Sequence, residues 1–313
     1  MKADELLHVV TVMSNPIRWG SRLKLYQAFE EHMLDSGVRL TTVEVSFGDR
    51  DAELANPHVH HVKLRADGHA LAWHKENALN IGISRLPAAA KYIATLDADI
   101  EFRRKDWAEA SVQALQHYHV IQPWADCYDL GPNGEHLDHH KSFCGLIYHK
   151  QPIAQGPNVS KSPYRFGHPG YAWAYTRQAL EWTGGLIETA VLGAADHHMA
   201  TALIGRVRDS VPRDLQPTPY TAPLERWEAR AVKHIAGNIG HIGGTIEHGF
   251  HGPKAARFYV DRWSIVSKHG FDPDVDLKRN THGLLELAGN KPGLRHDIDL
   301  YFRSRREDSN MPT

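Results

Sequence analysis

Three short stretches of this chain carry side chains whose types and spacing could do chemistry together. In LDADIEF, residues 96–102, Asp97 and Asp99 sit two apart on what reads as one extended segment, so both carboxylates are expected on one side. Such a pair can grip a divalent cation directly or through water. Hard cations such as Mg²⁺ or Mn²⁺ prefer oxygen ligands and share their shell with substrate phosphates. In GGLIETAVLGAADHHM, residues 184–199, Gly184 and Gly185 permit close backbone approach to a ligand. Asp196 opens a stretch that reads as a helix, where a carboxylate serves either as an N-cap or as a general base that takes a proton from an acceptor hydroxyl. In GTIEHGFHGPKAARFYVDRW, residues 244–263, His248 and His251 lie three apart beside Gly249 and Gly252. Either histidine could give a metal its nitrogen ligand, and both could equally be surface loop residues. Lys254, Arg257 and Arg262 follow at a spacing that could set cations beside a diphosphate.

Further side chains stand near these three. In HPGYAWAY, residues 168–175, Tyr171, Trp173 and Tyr175 alternate. Aromatic faces stack on sugars and nucleobases, and the same alternation fits a core strand. The chain holds 23 histidines, several in clusters such as His136, His139 and His140 or His197 and His198. Most of them must be ordinary surface or core residues. Cys127 and Cys144 are too few for a disulfide framework, have no CxxC partner, and read as buried small residues in a reducing compartment.

The elements that must position these groups follow from periodicity. Residues 6–14 read as a buried strand, 20–35 as a helix, 39–47 and 59–65 as strands, and 73–85 as a helix; 91–96 reads as a strand that runs straight into Asp97. A helix over 106–118 and a strand over 119–124 come next. Residues 125–165 read as a long irregular stretch, of the kind that usually serves as a functional loop or lid. Residues 171–182, 195–205 and 254–269 read as helical, the last with Tyr259, Trp263 and Val266 on one face, and the last ten residues read as a frayed tail. Strands alternating with helices predict an α/β fold with a mostly parallel sheet, whose ligands sit at the carboxyl ends of the strands.

Composition narrows the function classes. With 313 residues the chain can bury a full core, and a formal net charge of −1 gives no global basic field for nucleic acid. No run approaches the roughly 18 apolar residues of a membrane span. The N-terminus lacks the features of a signal peptide, so a soluble cytoplasmic protein is expected (host cytoplasm if viral), in which the sequon at Asn158 has no role.

Over residues 8 to 265 the chain resembles the GT-A nucleotide-sugar glycosyltransferases, especially the family 2-like group with its galactosyltransferase-like C-terminal region. The strand ending at Ser14-Asn15-Pro16 is similar to the start of that family's nucleotide pocket, which implies a nucleotide contact for Asn15. WHKENALNIGISR resembles the helix before the family's Asp-x-Asp strand, which implies nucleotide contacts for Lys75, Asn77 and Asn80. Asp97-Ala98-Asp99 matches the metal-binding Asp-x-Asp, with Asp99 the firmer ligand and Asp97 holding the metal through water or touching the ribose. Counted from Gly184-Gly185, Asp196 falls in register with the catalytic base of inverting members. Ala195 replaces the preceding Glu, and His198 stands where an acid is often seen. His251 resembles the late histidine that completes the metal shell, with His248 its rival.

The resemblance implies a Rossmann-like mixed, mostly parallel sheet flanked by helices, as a single domain with a C-terminal helical extension. A GT-A domain over 1–265 would have a nucleotide-binding half to about 105 and an acceptor half from about 106, with the extension over 266–313. It also implies Mn²⁺ or Mg²⁺, a nucleotide-sugar donor (UDP-sugar by family frequency), and single displacement with inversion at Asp196. Lys254 and Arg257 would face the donor, while Trp173, Gly184, Gly185 and His198 would meet the acceptor. That acceptor could be a glycan, a protein, a lipid-linked precursor or hydroxymethylated pyrimidine in DNA, the last with Arg303, Arg305 and Arg306 among the candidate cations. Two rivals stay open: a zinc hydrolase built on the histidine clusters, though HExxH is lacking, and a non-catalytic module that binds a sugar nucleotide or glycan.

Overall fold

A computed structural model describes residues 6–68, 71–153, 167–258 and 261–309. The first half builds β1 (Leu7–Ser14), α1 (Gly20–Asp35), β2 (Arg39–Phe47), β3 (His60–Ala66), α2 (Lys75–Ser84), β4 (Tyr92–Leu96) and β5 (Ile100–Phe102). Then come α3 (Trp107–Ala114), β6 (Val120–Gln122), β7 (Asp126–Leu130), β8 (His136–Lys141), α4 (Phe143–Tyr148), β9 (Ala172–Thr176), α5 (Arg177–Thr183) and α6 (Ala195–Ala202). The chain continues through α7 (Thr221–His234), β10 (Ile239–His241), β11 (Thr245–His248), α8 (Arg262–Lys268), α9 (Pro273–Asp276), β12 (Leu277–Arg279), β13 (Leu285–Leu287) and α10 (Pro292–Ser304).

Seven strands form the main sheet in the order β10-β6-β9-β4-β1-β2-β3. Every neighbour pair is parallel except those of β9, which runs against β4 and β6. This is the Rossmann-like, mixed and mostly parallel sheet flanked by helices that the resemblance implies. Val9, Val10, Val43 and Ile93 on its central strands are fully buried, as expected for strands covered on both faces. The C-terminal region joins the same core: Phe271, Leu284, Ile298 and Phe302 pack in one cluster with Val10, Val43 and Ile93. No helix of the described residues is long and apolar enough to cross a membrane.

A second sheet, β5-β11-β7-β8, stands at the carboxyl end of β4. It corrects the reading of 125–165 as irregular. DCYDL and HLDHHK form an antiparallel hairpin whose outer strand is almost wholly solvated, so no apolar alternation betrays it. Its order comes from pairing of β7 with β11, over one hundred residues later in sequence, from Asp126–Thr245 to Asp129–His248. Residues 154–166, with the sequon at Asn158, lie outside the described residues.

Three other readings change. Residues 171–182 are not one helix: strand β9 takes the aromatic alternation, and Thr176 then caps α5 by accepting from the Ala179 N–H at 3.1 Å. Residues 254–269 split into a 3₁₀ turn and α8, with Phe258 in the left-handed region at φ 51° between them; Tyr259 lies outside the described residues. The tail is not frayed through 309. Arg305 and Glu307 are buried, and the Asp308 carboxylate accepts the N–H groups of Gly20 and Ser21 at the start of α1, both at 2.9 Å.

Candidate active site

A cavity of about 1020 Å³ opens at the carboxyl ends of β1 and β4. Val12, Met13, Ser14 and Leu96 supply its floor, and the chain then turns at Asp97 through Asp99 before β5. Two backbone bonds fix this turn: the Asp97 N–H donates to the Tyr171 carbonyl and the Gly249 N–H to the Asp99 carbonyl, each at 2.8 Å. The turn breaks the period-two alternation expected of an extended segment, so the two acids part company. Asp97 Oδ1 meets the Lys75 ammonium at 2.5 Å. Asp99 lines the same cavity but groups with two histidines.

Around Asp99 the second sheet brings two imidazoles. His248, at the end of β11, lies with Nε2 3.6 Å from Asp99 Oδ2, and His251 with Nε2 3.4 Å from the same oxygen. One ligand atom from each of these three residues lies within 4.8 Å of the other two, a span that fits one metal ion. Two buried atoms sharpen the fit: Asp99 Oδ1 and His251 Nδ1 are sealed from solvent with no hydrogen-bond partner, an arrangement that is costly unless something else engages them. The sequence left His248 and His251 as rivals; the fold brings both to Asp99, while Asp97 stands apart with Lys75. Burial would push the Asp99 carboxyl up, but His248, then His251 and Arg257, hold it well below the usual carboxylate range.

Behind these ligands sits Asp129, from the hairpin misread as a loop. Its Oδ1 lies 2.7 Å from His248 Nδ1 and accepts from the Tyr171 hydroxyl at 2.8 Å; its Oδ2 lies 2.8 Å from His140 Nε2 and 2.5 Å from Lys254 Nζ. Burial alone would raise this carboxyl, yet the hydrogen bonds of His140 and His248 and the charges of His248 and Lys254 hold it far below its ordinary range. Only its inward position on β7, between outward Tyr128 and Leu130, could have marked Asp129 in the sequence, and a strand had to be recognised first. Lys254 also reaches Asp138 at 2.6 Å, and Arg257 is buried in the cavity wall, its Nη2 3.3 Å from the Gly252 carbonyl.

Asp196 lines the same cavity. It is not the N-cap of α6: that position belongs to Ala194, in the left-handed region at φ 81° directly after Gly193 at φ 89°. A non-glycine residue there costs of order 1–3 kcal/mol, and such strain gathers at functional sites. Asp196 Oδ1 accepts the His197 N–H at 2.8 Å, and Oδ2 lies against Gly170, where an added Cβ would stand 2.9 Å away. Arg262 Nη1 donates to the Leu192 carbonyl at 3.0 Å and braces the loop that presents Asp196. Lys75 and Glu76 line the same cavity as Asp196 and Asp97. Burial would lower the Lys75 ammonium, but Asp97, Glu76 and Asp196 outweigh it and keep it protonated. Burial pushes the Glu76 carboxyl up to about 7, against the pull of Lys75.

Other residues singled out in the sequence lie off the cavity. Asn15 Oδ1 accepts the Trp19 N–H at 2.9 Å and shapes the turn after β1, while its neighbour Ser14 reaches the cavity. Asn77 and Asn80 donate to Glu188 Oε2 at 2.8 and 3.3 Å, and Asn80 Oδ1 accepts the Leu186 N–H at 2.8 Å. Gly184 ends α5 at φ 75°, and a Cβ on Gly185 would stand 2.7 Å from Asn80 Oδ1, so the close approach these glycines allow is to Asn80. Trp173 is buried and donates from Nε1 to the Pro169 carbonyl at 2.6 Å. His198 is fully buried, with Nδ1 2.6 Å from Ser210 Oγ and Nε2 2.9 Å from the Tyr220 hydroxyl; His197 faces the cavity instead.

No protein-family model matches the chain, and no curated protein does. Among solved structures it is similar to a Drosophila β1,4-galactosyltransferase 7 variant in complex with manganese, UDP-Gal and xylobiose, at 12% identity over 93% of this chain and 98% of that one, TM-score 0.42. It is also similar to a Desulfovibrio desulfuricans protein described as a nucleotide-diphospho-sugar transferase (9% identity, 96% and 97% covered, TM-score 0.34). A third likeness is to a 4-diphosphocytidyl-2C-methyl-D-erythritol synthase of Anaerococcus prevotii (7% identity, 77% and 90% covered, TM-score 0.37).

Proposed function

We propose that this chain is a metal-dependent, inverting glycosyltransferase that moves a sugar from a nucleotide-sugar donor, by default a UDP-sugar, to an acceptor hydroxyl. One observation carries the reading: Asp196 and the Asp99–His248–His251 cluster line a single cavity at the carboxyl ends of parallel strands, the ligand crevice of open α/β sheets. Both Mn²⁺ and Mg²⁺ prefer oxygen, but Mn²⁺ is the less hard of the two and accepts imidazole beside a carboxylate more readily. Such an ion, when bound, neutralises the charge that develops on a diphosphate leaving group.

The protein's own groups divide the remaining work. Arg257 and Lys254 add fixed positive charge on the diphosphate side. Lys75 orients Asp97 for the nucleotide through their ion pair, and its charge opposes the burial that raises the Asp97 carboxyl. Asp196, oriented by the His197 N–H, takes the acceptor proton as the hydroxyl attacks, and the sugar leaves the diphosphate with inversion. Residues 1–105 supply the strand ends and Asp99 of the donor side, and 106–265 supply Asp196 for the acceptor together with the histidines and cations that complete the donor side, with His197 and Trp263 lining the same cavity.

A sugar or other free hydroxyl is the preferred acceptor over hydroxymethylated DNA. Of the three cations named for a nucleic-acid groove, Arg303 pairs with Asp299 and Arg305 is buried against Glu307, while Arg306 is exposed. The test is a panel of UDP-, GDP- and dTDP-sugars with Mn²⁺, read as nucleoside diphosphate release and then transfer to glycan and DNA acceptors. We expect Mn²⁺-dependent release from one donor that a chelator abolishes. Absence of both binding and release with every donor would sink the reading, and tight stoichiometric zinc without nucleotide binding would favour a hydrolase.

A further inference from the structure

We propose that Glu307, near the C-terminal end of the chain, is a positioning residue for His251, and that residues 305–309 are thereby part of the cation site. This rests on the metal-dependent reading above. Both imidazoles turn Nε2 to Asp99, and each turns its other nitrogen to a buried carboxylate. Behind His248 this is Asp129, with Nδ1 and Oδ1 2.7 Å apart. Behind His251 it is Glu307, with Nδ1 and Oε2 3.7 Å apart. A carboxylate behind a metal-bound imidazole accepts its Nδ1–H, fixes the tautomer that leaves the Nε2 lone pair for the ion, and makes the ligand more basic. An approach of roughly 0.5–1 Å closes the Glu307 pair to hydrogen-bond length, and it would satisfy the orphaned His251 Nδ1.

Glu307 is held where this role needs it. It is 2% exposed. Its carboxylate accepts from Arg22 Nε at 2.5 Å and Nη2 at 2.8 Å, and from Arg305 Nε at 2.8 Å. Arg22 Nη1 also donates to the Ser14 carbonyl at 2.5 Å, which ties the segment to the cavity end of β1. Gly252, beside His251, has φ 86°, and a Cβ there would stand 2.3 Å from the Arg306 carbonyl oxygen. Glycine is therefore what lets the C-terminal segment cross directly behind His251. The charge-dense RSRRED run reads as a solvated tail in the sequence, yet it supplies a carboxylate to the back of the site.

The experiment titrates Mn²⁺ into the full chain without any nucleotide sugar and reads free ion by electron paramagnetic resonance. It compares wild type, Glu307→Gln, Glu307→Asp, His251→Ala and the His251→Ala/Glu307→Gln double variant. Circular dichroism and metal-free melting report folding separately. We expect both Glu307 variants to bind Mn²⁺ about 10–100-fold more weakly, and Glu307→Gln to change affinity by less than about twofold once His251 is gone. Should Glu307→Gln fail to fold, Glu307→Asp decides, because it keeps the charge that Arg22 and Arg305 require. Wild-type affinity in the Glu307 variants, or an equal loss with and without His251, overturns the proposal while leaving the metal reading intact. A wild-type chain that binds no Mn²⁺ overturns both.

Discussion

The Lys75 ammonium lies 2.5 Å from Asp97 Oδ1, and this contact distinguishes two acids that are only two residues apart in sequence. Asp99, turned to His248 and His251, is left as the carboxylate of the cation cluster.

That split predicts unequal variants. Asp99→Asn should weaken Mn²⁺ binding at least about 100-fold, since it removes the one anionic ligand of the three. Asp97→Asn should leave Mn²⁺ affinity within about threefold and instead raise the donor KM. Equilibrium dialysis of Mn²⁺ without donor separates the two, and equal losses would return Asp97 to the metal shell.

Asp196→Asn should lower kcat for transfer by about 10²–10⁴-fold, the usual worth of a general base. Donor affinity and Mn²⁺ affinity should not change, because Asp196 touches neither the cluster nor its carboxylate supports. Single-turnover transfer beside donor calorimetry reads both. A drop in donor affinity that matches the drop in rate would make Asp196 a binding residue.

The raised Glu76 carboxyl predicts a pH-dependent cost. Its folded value, about 7, lies above its ordinary value near 4.5, so the folded state holds a proton that the unfolded state releases. Stability should therefore fall as pH rises between those values, and stay lowered above. Glu76→Gln removes the titration: it should gain about 1–3 kcal/mol over wild type at pH 8, with the gain vanishing below about pH 4.5. Urea unfolding of both chains from pH 4 to 8 measures it, and a difference that does not vary with pH would contradict the assignment.

Asn80 binds the loop after α5 through both atoms of its amide. Asn80→Ala should cost about 1–3 kcal/mol of stability by stranding the Leu186 N–H, while donor KM stays within about twofold. The residue was a nucleotide contact by resemblance, so a donor KM raised tenfold with unchanged melting would restore that role.

The sequence by itself determined five of the seven strands of the main sheet, β1 to β4 and β6; it placed β9 within a helix and offered no period for the three-residue β10. Runs such as LHVVTVMS and RLTTVEVSF are buried on both faces and β-branched, and the 16-residue α1 has helical spacing, so local pattern and tertiary environment agree. It also determined that Asp97 and Asp99 end a central strand and that Asp196 opens a helix, since strand ends and helix starts are local features. Tertiary structure decided the rest. The β7–β8 hairpin that carries Asp129 and His140 is polar on its outer face and takes its order from β11, so its own residues give no period to read. The partners of Asn77, Asn80 and Lys75 depend on which loop packs beside α2. The orientation of His248 and His251, and the arrival of Glu307 behind them, depend on segments more than 40 residues apart in the chain meeting at one point. Periodicity reports the face an element buries; the partner that face meets is chosen only when the whole chain packs.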